Sequence, residues 1–175
     1  MADINFDYHP QFFTTTILEW NHLLNADAYK NIIINSLLFL KNEKSIVVYG
    51  SVIMPNHIHL IWQVQDGFKQ ELIQNRFLKF TAQQMKFRLR DTNDQMLSQF
   101  MVNASDRQYQ LWERNSLSID LWSPPVFMQK LDYIHNNPLQ YKWQLALYPE
   151  DYKHSSAKFY ETGIDEFGLL IHYDG

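Results

Sequence analysis

The feature that most constrains the fold of this chain is the strictly alternating segment HIHLIWQV at residues 57–64. Successive side chains of a β-strand point to opposite faces, so one face of this segment is apolar and carries Ile58, Leu60, Trp62 and Val64. The opposite face carries His57, His59, Ile61 and Gln63. We therefore expect a strand that buries its apolar face in a core and holds two imidazoles side by side on its other face.

The sequence before this segment predicts a strand, a helix and one arm of a hairpin. Aromatic and β-branched residues at 12–20 are typical of a strand. Apolar residues at helical spacing predict a helix over 27–43, with Asp27 as its N-cap. Residues 45–54 predict a second strand, and Pro55-Asn56 suits a tight reversal into the alternating segment.

The sequence after it predicts two further helices. Residues from about Gly67 to Arg90 contain almost no helix breaker, which predicts a long helix. Pro124-Pro125 opens a second predicted helix, which Pro138 stops. Between the two helices, the polar residues 91–109 are compatible with a helix continuation, a loop or a mobile linker.

Length and composition limit the class of protein. A chain of 175 residues with 46% hydrophobic residues is long enough for one core, so we expect a single domain over 1–175, with its core at about 10–145 and a C-terminal extension at about 146–175. The chain contains no cysteine, which excludes disulfides and thiolate ligands. No apolar run is long enough for a membrane span and the N-terminus is acidic, so we expect a soluble, cytoplasmic protein.

The charge of the chain argues against a nonspecific coat for nucleic acids. The net charge is −4, whereas nonspecific DNA affinity comes mainly from Lys and Arg. The predicted helix 67–90 is nevertheless locally basic, and one arc of it carries Lys69, Arg76, Lys79, Lys86 and Arg90. Such an arc suits either a phosphate backbone or a solvated helix face.

The imidazole pair is a candidate metal site. His57 and His59 are expected about 7 Å apart along the strand, close enough to bind one cation. An H-x-H pattern is short and recurs by chance, so the pair alone favours structural histidines over a metal site. Tyr133 and Asn137 lie one helical turn apart in the second predicted helix. This pair suggests a nucleophile beside a third metal ligand, because a phenol needs an activated phosphate to attack.

Five segments together carry a family resemblance: MPNHIHLIW, LKFTAQQM, LWERNSLS, KLDYIHNNPLQ and YPEDYKHSSAKFY. In this order, from about residue 10 to about residue 160, they resemble the REP-associated tyrosine transposases, a branch of the single-tyrosine HUH (IS200-like) transposases. The resemblance implies a ferredoxin-like α/β fold, with an antiparallel sheet and helices packed on one face. It also implies that His57, His59 and Asn137 bind Mg2+ or Mn2+, and that Tyr133 attacks DNA to form a 5′-phosphotyrosine link.

The implied substrate is single-stranded DNA with a hairpin, which the enzyme would cleave and rejoin, associating with the nucleoid when bound. Relatives include monomers and homodimers that exchange the tyrosine helix, and residues 91–109 would be the hinge for such an exchange. The chain departs from many relatives after Pro138, where Leu139-Gln140-Tyr141-Lys142-Trp143 replaces a basic residue, a small residue and Gly. DNA contacts are therefore expected from Lys79, Lys86 and Arg90, together with stacking on aromatic residues.

Two alternatives remain open at this level. The first is a DNA-hairpin-binding protein that retains the fold but is catalytically silent, which the low net charge favours. The second is a metal-dependent hydrolase of small phosphoesters, which leaves Tyr133 and Asn137 without a role.

Overall fold

A four-stranded antiparallel sheet organises the chain. The computed structural model describes residues 9–175, except for the side chain of Asp94. The predicted domain thus begins in residues 1–8, which lie outside the described residues. The strands are β1 (Gln11–Thr16), β2 (Ile46–Ile53), β3 (His57–Val64) and β4 (Leu117–Asp120). The helices are α1 (Asp27–Asn42), α2 (Gln70–Thr92), α3 (Asp94–Leu97), α4 (Pro124–Asn136) and α5 (Ala157–Thr162).

The topology is that of a ferredoxin-like fold. The first six main elements follow the order β1, α1, β2, β3, α2, β4, and the spatial order of the strands is β2-β3-β1-β4. Neighbouring strands are antiparallel throughout. Two βαβ-type halves interleaved in this way define the split βαβ arrangement. The predicted fold class is confirmed, and β3, the strand with the histidine pair, lies in the interior of the sheet.

The two faces of the sheet carry separate cores. The apolar side chains of β3 join a large core with α1 and α2, in which Trp62 packs against Phe77 at a ring distance of 5.7 Å. On the other face, Ile61 and Phe12 join a smaller core with three residues of α4: Phe127, Leu131 and Ile134. The helices predicted for one face are therefore α1 and α2. The tyrosine helix α4 covers the opposite face, beside the two histidines.

Helix α2 confirms the predicted long helix and shows which of its faces is buried. Its buried residues repeat every four positions, at Ile73, Phe77, Thr81, Met85 and Leu89. This stripe faces the large core, so the basic residues of the predicted arc stay on or near the outer side of the helix. None of the helices in residues 9–175 combines the length and apolar character that a membrane span needs.

Two local predictions are corrected, and one of the three alternatives for residues 91–109 is excluded. The first strand ends at Thr16 rather than Trp20, because the backbone turns at Glu19 and Trp20, both with positive φ. Asp27 is not the N-cap of α1. Ala26 occupies that position, while the Asp27 carboxylate accepts a hydrogen bond of 3.3 Å from Lys30 Nζ. Residues 91–109 are not a free linker, because Leu97 and Phe100 are buried in the large core.

A glycine in β2 leaves room for a buried side chain of α4. A Cβ at Gly50 would lie 2.8 Å from Leu131 Cδ1 of α4. Gly50→Ala is therefore expected to lower the free energy of unfolding by roughly 1–3 kcal/mol, because the buried Leu131 side chain must leave its packed position. Urea denaturation followed by circular dichroism measures the change. The control is the same substitution in a Leu131→Ala background, where the cost of Gly50→Ala should shrink. An equal cost in both backgrounds would contradict the steric explanation.

Candidate active site

The histidine pair lies on β3, between β1 and β2. The sheet register places His59 opposite Thr14 of β1 and Val52 of β2, and His57 opposite Thr16. His57 is 7% exposed and His59 is 5% exposed, and their ring centroids are 4.7 Å apart. Both rings point to the face covered by α4, as the alternation of the sequence predicted. A strand paired on both sides holds them with little freedom.

Each imidazole uses its Nδ1 atom for a hydrogen bond within the protein. His57 Nδ1 donates to Asn56 Oδ1 at 2.6 Å, and His59 Nδ1 shares a hydrogen bond of 2.6 Å with Thr14 Oγ1. A hydrogen bond at one ring nitrogen orients the ring and leaves the other nitrogen for a ligand. Asn56 belongs to the Pro-Asn turn, so this turn positions the first imidazole as well as reversing the chain.

Two buried atoms at this site that can bind a cation, His59 Nε2 and Asn137 Oδ1, lack a hydrogen-bond partner among the described residues, as does the donor Nε1 of the neighbouring Trp143. Asn137 is 2% exposed, and its side chain is near enough to His57 to favour the protonated imidazole. Buried polar atoms without partners are costly, and a bound cation would satisfy both. The residues present therefore fit a divalent ion. Within residues 9–175 no third His, Cys, Asp or Glu joins the pair, so a third donor to a cation would have to be a neutral oxygen such as that of the Asn137 amide.

Burial keeps both imidazoles neutral at neutral pH. It lowers the pKa of His57 to about 4 and the pKa of His59 to about 3. The neighbouring cationic groups of Lys130 and Lys142 lower the pKa of His59 further. A neutral imidazole is the form that binds a metal. Imidazole nitrogen is a softer ligand than the oxygen donors that both Mg2+ and Mn2+ prefer, so the two imidazoles do not by themselves distinguish these ions.

Tyr133 lies directly beside the histidine pair. Its ring centroid is 5.3 Å from that of His59, and the residue is 44% exposed. Phe12 of β1 stacks on His59 at 5.2 Å and meets Tyr133 edge-on at 6.0 Å. The tyrosine is thus held by two aromatic neighbours and still reaches solvent, as a nucleophile for a large substrate must.

The local sequence of α4 explains why Tyr133 and Asn137 share a face. Pro124 and Pro125 start the helix, where no hydrogen bond is lost, and the 3-10 turn Asn137–Leu139 with Pro138 ends it. Asn137 therefore lies one turn after Tyr133, against the sheet. His135, between them, points elsewhere, and its Nε2 atom shares a hydrogen bond of 2.8 Å with Ser156 Oγ.

Several residues of the site were not predicted from the sequence. Lys130, three residues before Tyr133, places its Nζ 5.8 Å from the Tyr133 ring and 4.8 Å from the Phe12 ring. Trp143 lies 5.9 Å from the His57 ring. Helical spacing from Tyr133 could have identified Lys130. Strand pairing and chain reversal bring three further residues to the histidine pair: Phe12, Thr14 and Trp143. Neither effect leaves a pattern in the local sequence.

The predicted DNA-binding residues lie away from this site. Lys79, Lys86 and Arg90 belong to α2, on the opposite face of the sheet. Arg90 Nε donates to Asp91 Oδ1 at 3.1 Å, and its guanidinium lies 5.1 Å from the Phe87 ring. Lys86 lies over the same ring at 5.5 Å. DNA that reached both these residues and Tyr133 would have to pass around the edge of the sheet.

Metal binding can be measured without DNA. Mn2+ is expected to bind the wild-type chain at one site, and His59→Ala is expected to weaken this binding by at least about tenfold, since it removes a ligand and its hydrogen bond to Thr14. Electron paramagnetic resonance of free Mn2+ gives the bound fraction directly. His172→Ala is the matched control, because His172 lies near Tyr160 in the C-terminal region. Equal Mn2+ binding by both variants would contradict the assignment.

Comparisons with known proteins agree with the resemblance at the level of the fold. No protein-family model matches the sequence, and a search of curated proteins finds no match. Among solved structures, a REP-associated tyrosine transposase bound to a REP hairpin matches over 95% of this chain and 90% of its own, with a TM-score of 0.64 and 16% identity. A provisionally assigned transposase of Deinococcus radiodurans R1 matches over 74% of this chain and 91% of its own, with a TM-score of 0.48 and 13% identity. The chain therefore shares the fold of the REP-associated tyrosine transposase over nearly its whole length.

Proposed function

We propose that the chain is a metal-dependent endonuclease and transposase for single-stranded DNA, which cleaves and rejoins DNA beside hairpins through a 5′-phosphotyrosine intermediate. One observation carries the proposal: the Tyr133 ring lies 5.3 Å from His59, beside two buried donor atoms that lack a partner. A binding module needs no tyrosine at this position. The fold shared with a hairpin-bound REP-associated tyrosine transposase supports the same function.

In the proposed reaction Tyr133 is the nucleophile. Its phenol oxygen forms a bond to the phosphorus of a phosphodiester, and the bond from phosphorus to the 3′ oxygen breaks. The phenol loses its proton and the leaving oxygen gains one, which gives a 5′-phosphotyrosine and a free 3′-hydroxyl. Rejoining is the reverse attack by a 3′-hydroxyl. No water enters the bond exchange, so the energy of the phosphodiester is retained for the second step.

The remaining residues position the reactants. His57, His59 and Asn137 would hold Mg2+ or Mn2+, which supplies positive charge to the phosphate when bound. Thr14 and Asn56 orient the imidazoles through their hydrogen bonds to Nδ1. Phe12 packs against both His59 and Tyr133, so one aromatic side chain links the metal ligands to the nucleophile.

Lys130 is the cation best placed to meet the substrate phosphate beside Tyr133. Its ammonium group lies over the Tyr133 and Phe12 rings. Lys130→Gln is expected to slow adduct formation by about tenfold or more, because a charged contact to the phosphate is lost. Single-turnover rates with a labelled oligonucleotide measure this, and Mn2+ binding should not weaken. Lys153→Gln serves as the comparison, since Lys153 is exposed and its charged neighbours are Asp27 and Glu166 rather than the residues of the site. Equal rates for wild type and Lys130→Gln would remove Lys130 from the mechanism.

The activity is tested with a hairpin oligonucleotide that carries different labels at its two ends. With Mn2+ present, the fragment on the 3′ side of the cut should stay with the protein in denaturing gels, and the 5′ fragment should be released. Retention of the 5′ fragment would contradict the proposed polarity. Tight hairpin binding without any adduct, with Mg2+ or Mn2+, would favour the catalytically silent DNA-binding protein.

In the proposed enzyme one chain would supply both the nucleophile and the metal ligands. The Tyr133 ring on α4 lies 5.3 Å from the His59 ring on β3 of the same chain, so we expect cleavage without exchange of the tyrosine helix between subunits. Adduct formation at protein concentrations where the mass in solution is that of a monomer would agree with this arrangement.

A further inference from the structure

A long groove runs along the outside of α2, far from the histidine pair. It lies between α2 and residues 107–114, and its volume is about 850 Å3. Four cationic side chains line it, two from each wall: Lys79, Lys86, Arg107 and Arg114. Lys79 and Lys86 are two helical turns apart, which spaces them by roughly 10 Å along the groove.

The groove is preformed. Trp112, buried in its floor, donates a hydrogen bond of 3.0 Å from Nε1 to Thr81 Oγ1 of α2. Backbone hydrogen bonds also join the wall formed by residues 107–114 to the end of β1. Leu18 N donates to Leu111 O at 2.8 Å, and Glu113 N donates to Thr16 O at 2.7 Å. A ligand therefore finds the two walls already fixed in position, and little conformational entropy is lost on binding.

The chemistry of the lining suits an unpaired nucleic-acid strand. Glu113 is the one acid among the described residues of the lining, and its carboxylate accepts a hydrogen bond from the Glu19 backbone. Phe80 is 47% exposed on one wall, and Tyr109 lies on the other. A positive groove with accessible aromatic rings is the arrangement by which proteins hold single strands, since cations meet phosphates and rings stack on bases. A paired stem offers no free base faces for Phe80 to stack on.

The groove continues toward the active site. A smaller hollow of about 130 Å3 shares Glu113 and Arg114 with it and extends along β1 to Thr14 and Thr16. Thr14 is the residue hydrogen-bonded to His59. Arg114, exposed at the junction of the two hollows, marks the point where a strand leaving the groove would turn around the sheet edge.

We infer that this groove binds the single-stranded DNA flank that leads to Tyr133, with Lys79, Lys86 and Arg114 on its phosphates and Phe80 stacked on a base. The inference rests on the proposed function, because Tyr133 is the end point of the path. It explains how basic residues on the far face of the sheet can serve a reaction on the near face. It also adds Arg114 and Phe80 to the DNA-binding residues expected from the sequence.

The test compares a hairpin that carries an unpaired flank with the same hairpin lacking the flank. Binding is measured by fluorescence anisotropy over a range of salt concentrations, with every protein in a Tyr133→Phe background so that no covalent adduct forms. The Lys79→Gln/Lys86→Gln/Arg114→Gln variant should lose about tenfold or more of the affinity that the flank adds. Its plot of log affinity against log salt should be shallower by about 2, since each phosphate contact to a single strand contributes about 0.7.

Two further variants complete the test. Phe80→Ala should weaken binding of the flanked hairpin by several-fold without changing the salt slope, because it removes stacking and no charge. Lys153→Gln is the matched control, an exposed lysine near Asp27 and Glu166 that lines neither of the two hollows. It should bind both hairpins like the parent.

Other outcomes overturn the inference. If the triple variant weakens both hairpins equally, the groove holds the paired stem. If it weakens neither, the groove does not bind DNA. The two proposals can fail separately. If flank binding depends on the groove but the wild-type chain never forms an adduct, the inference stands and the proposed catalysis is wrong. If the wild-type chain forms the adduct but the triple variant binds the flank as tightly as its parent, the proposed catalysis stands and the inference is wrong.

Discussion

Tyr133→Phe is expected to reduce the covalent protein–DNA adduct below detection while leaving the fold and Mn2+ binding unchanged. The substitution removes only the phenol oxygen, which is the nucleophile of the proposed reaction. The ring remains, so the contacts with His59 and Phe12 are kept. A labelled hairpin oligonucleotide with Mn2+, followed by a denaturing gel, measures the adduct, and a thermal melt confirms that the variant is folded.

The control for this experiment is Tyr141→Phe. Tyr141 is 92% exposed and follows the same helix by a few residues, so it is the most accessible rival nucleophile near the site. This variant should form the adduct at the wild-type level. Adduct formation by Tyr133→Phe, together with its loss in Tyr141→Phe, would show that the nucleophile has been assigned to the wrong tyrosine.

Acidification from pH 6.5 to 4 is expected to unfold the protein. Burial lowers the pKa of four histidines, to about 3 for His59 and about 4 for His57, His135 and His154. The unfolded chain takes up these protons at about pH 6.5, whereas the folded chain resists them until pH 4 or below. The unfolded state therefore binds more protons across this window, and the free energy of unfolding decreases as the pH is lowered.

The size of the effect is enough to unfold a domain. One pKa unit corresponds to 1.36 kcal/mol, so each histidine contributes roughly 2 kcal/mol after allowance for solvent screening. Four such contributions are comparable with the total stability of an ordinary domain, about 5–15 kcal/mol. Far-ultraviolet circular dichroism across the pH range measures the transition.

The acid transition has its own control. His135→Gln removes one of the four groups outside the metal site and should shift the unfolding midpoint to lower pH. Gln can retain a hydrogen bond to Ser156, the partner of His135. A chain that stays folded to below pH 4, with no shift in His135→Gln, would mean that protons reach these imidazoles in the native state.

Much of the site was predictable because its residues belong to regular elements. Alternation along β3 predicts that His57 and His59 share a face, and helical spacing predicts the same for Tyr133 and Asn137. Neither pattern says that the two faces meet. The ring distance between His59 and Tyr133 depends on α4 packing over β3, and Gly50 permits that packing by leaving room for Leu131.

The boundaries that differed from prediction have long-range causes. Residues 17–20 continue the apolar and aromatic pattern of β1, yet β1 ends at Thr16. The backbone turns at Glu19 and Trp20, where φ is positive, and Ile17 N and Leu18 N donate to Asn56 O and Leu111 O, outside the four strands. Residues 91–109 are polar in composition, but Leu97 and Phe100 fill space beneath α2. These partners are distant in sequence, so no local sequence pattern predicts the contacts.

By itself the sequence determined the type of the main elements, the hairpin at Pro55-Asn56 and the residue types available for chemistry. Local steric and periodic preferences are sufficient for these. Only the tertiary structure decided that α4 covers the face opposite α1 and α2, that Thr14 orients His59, and that cationic side chains of α2 and of residues 107–114 line one groove. These features depend on which strands pair and which faces are buried together, and the free energy of such contacts is distributed over residues far apart in the chain.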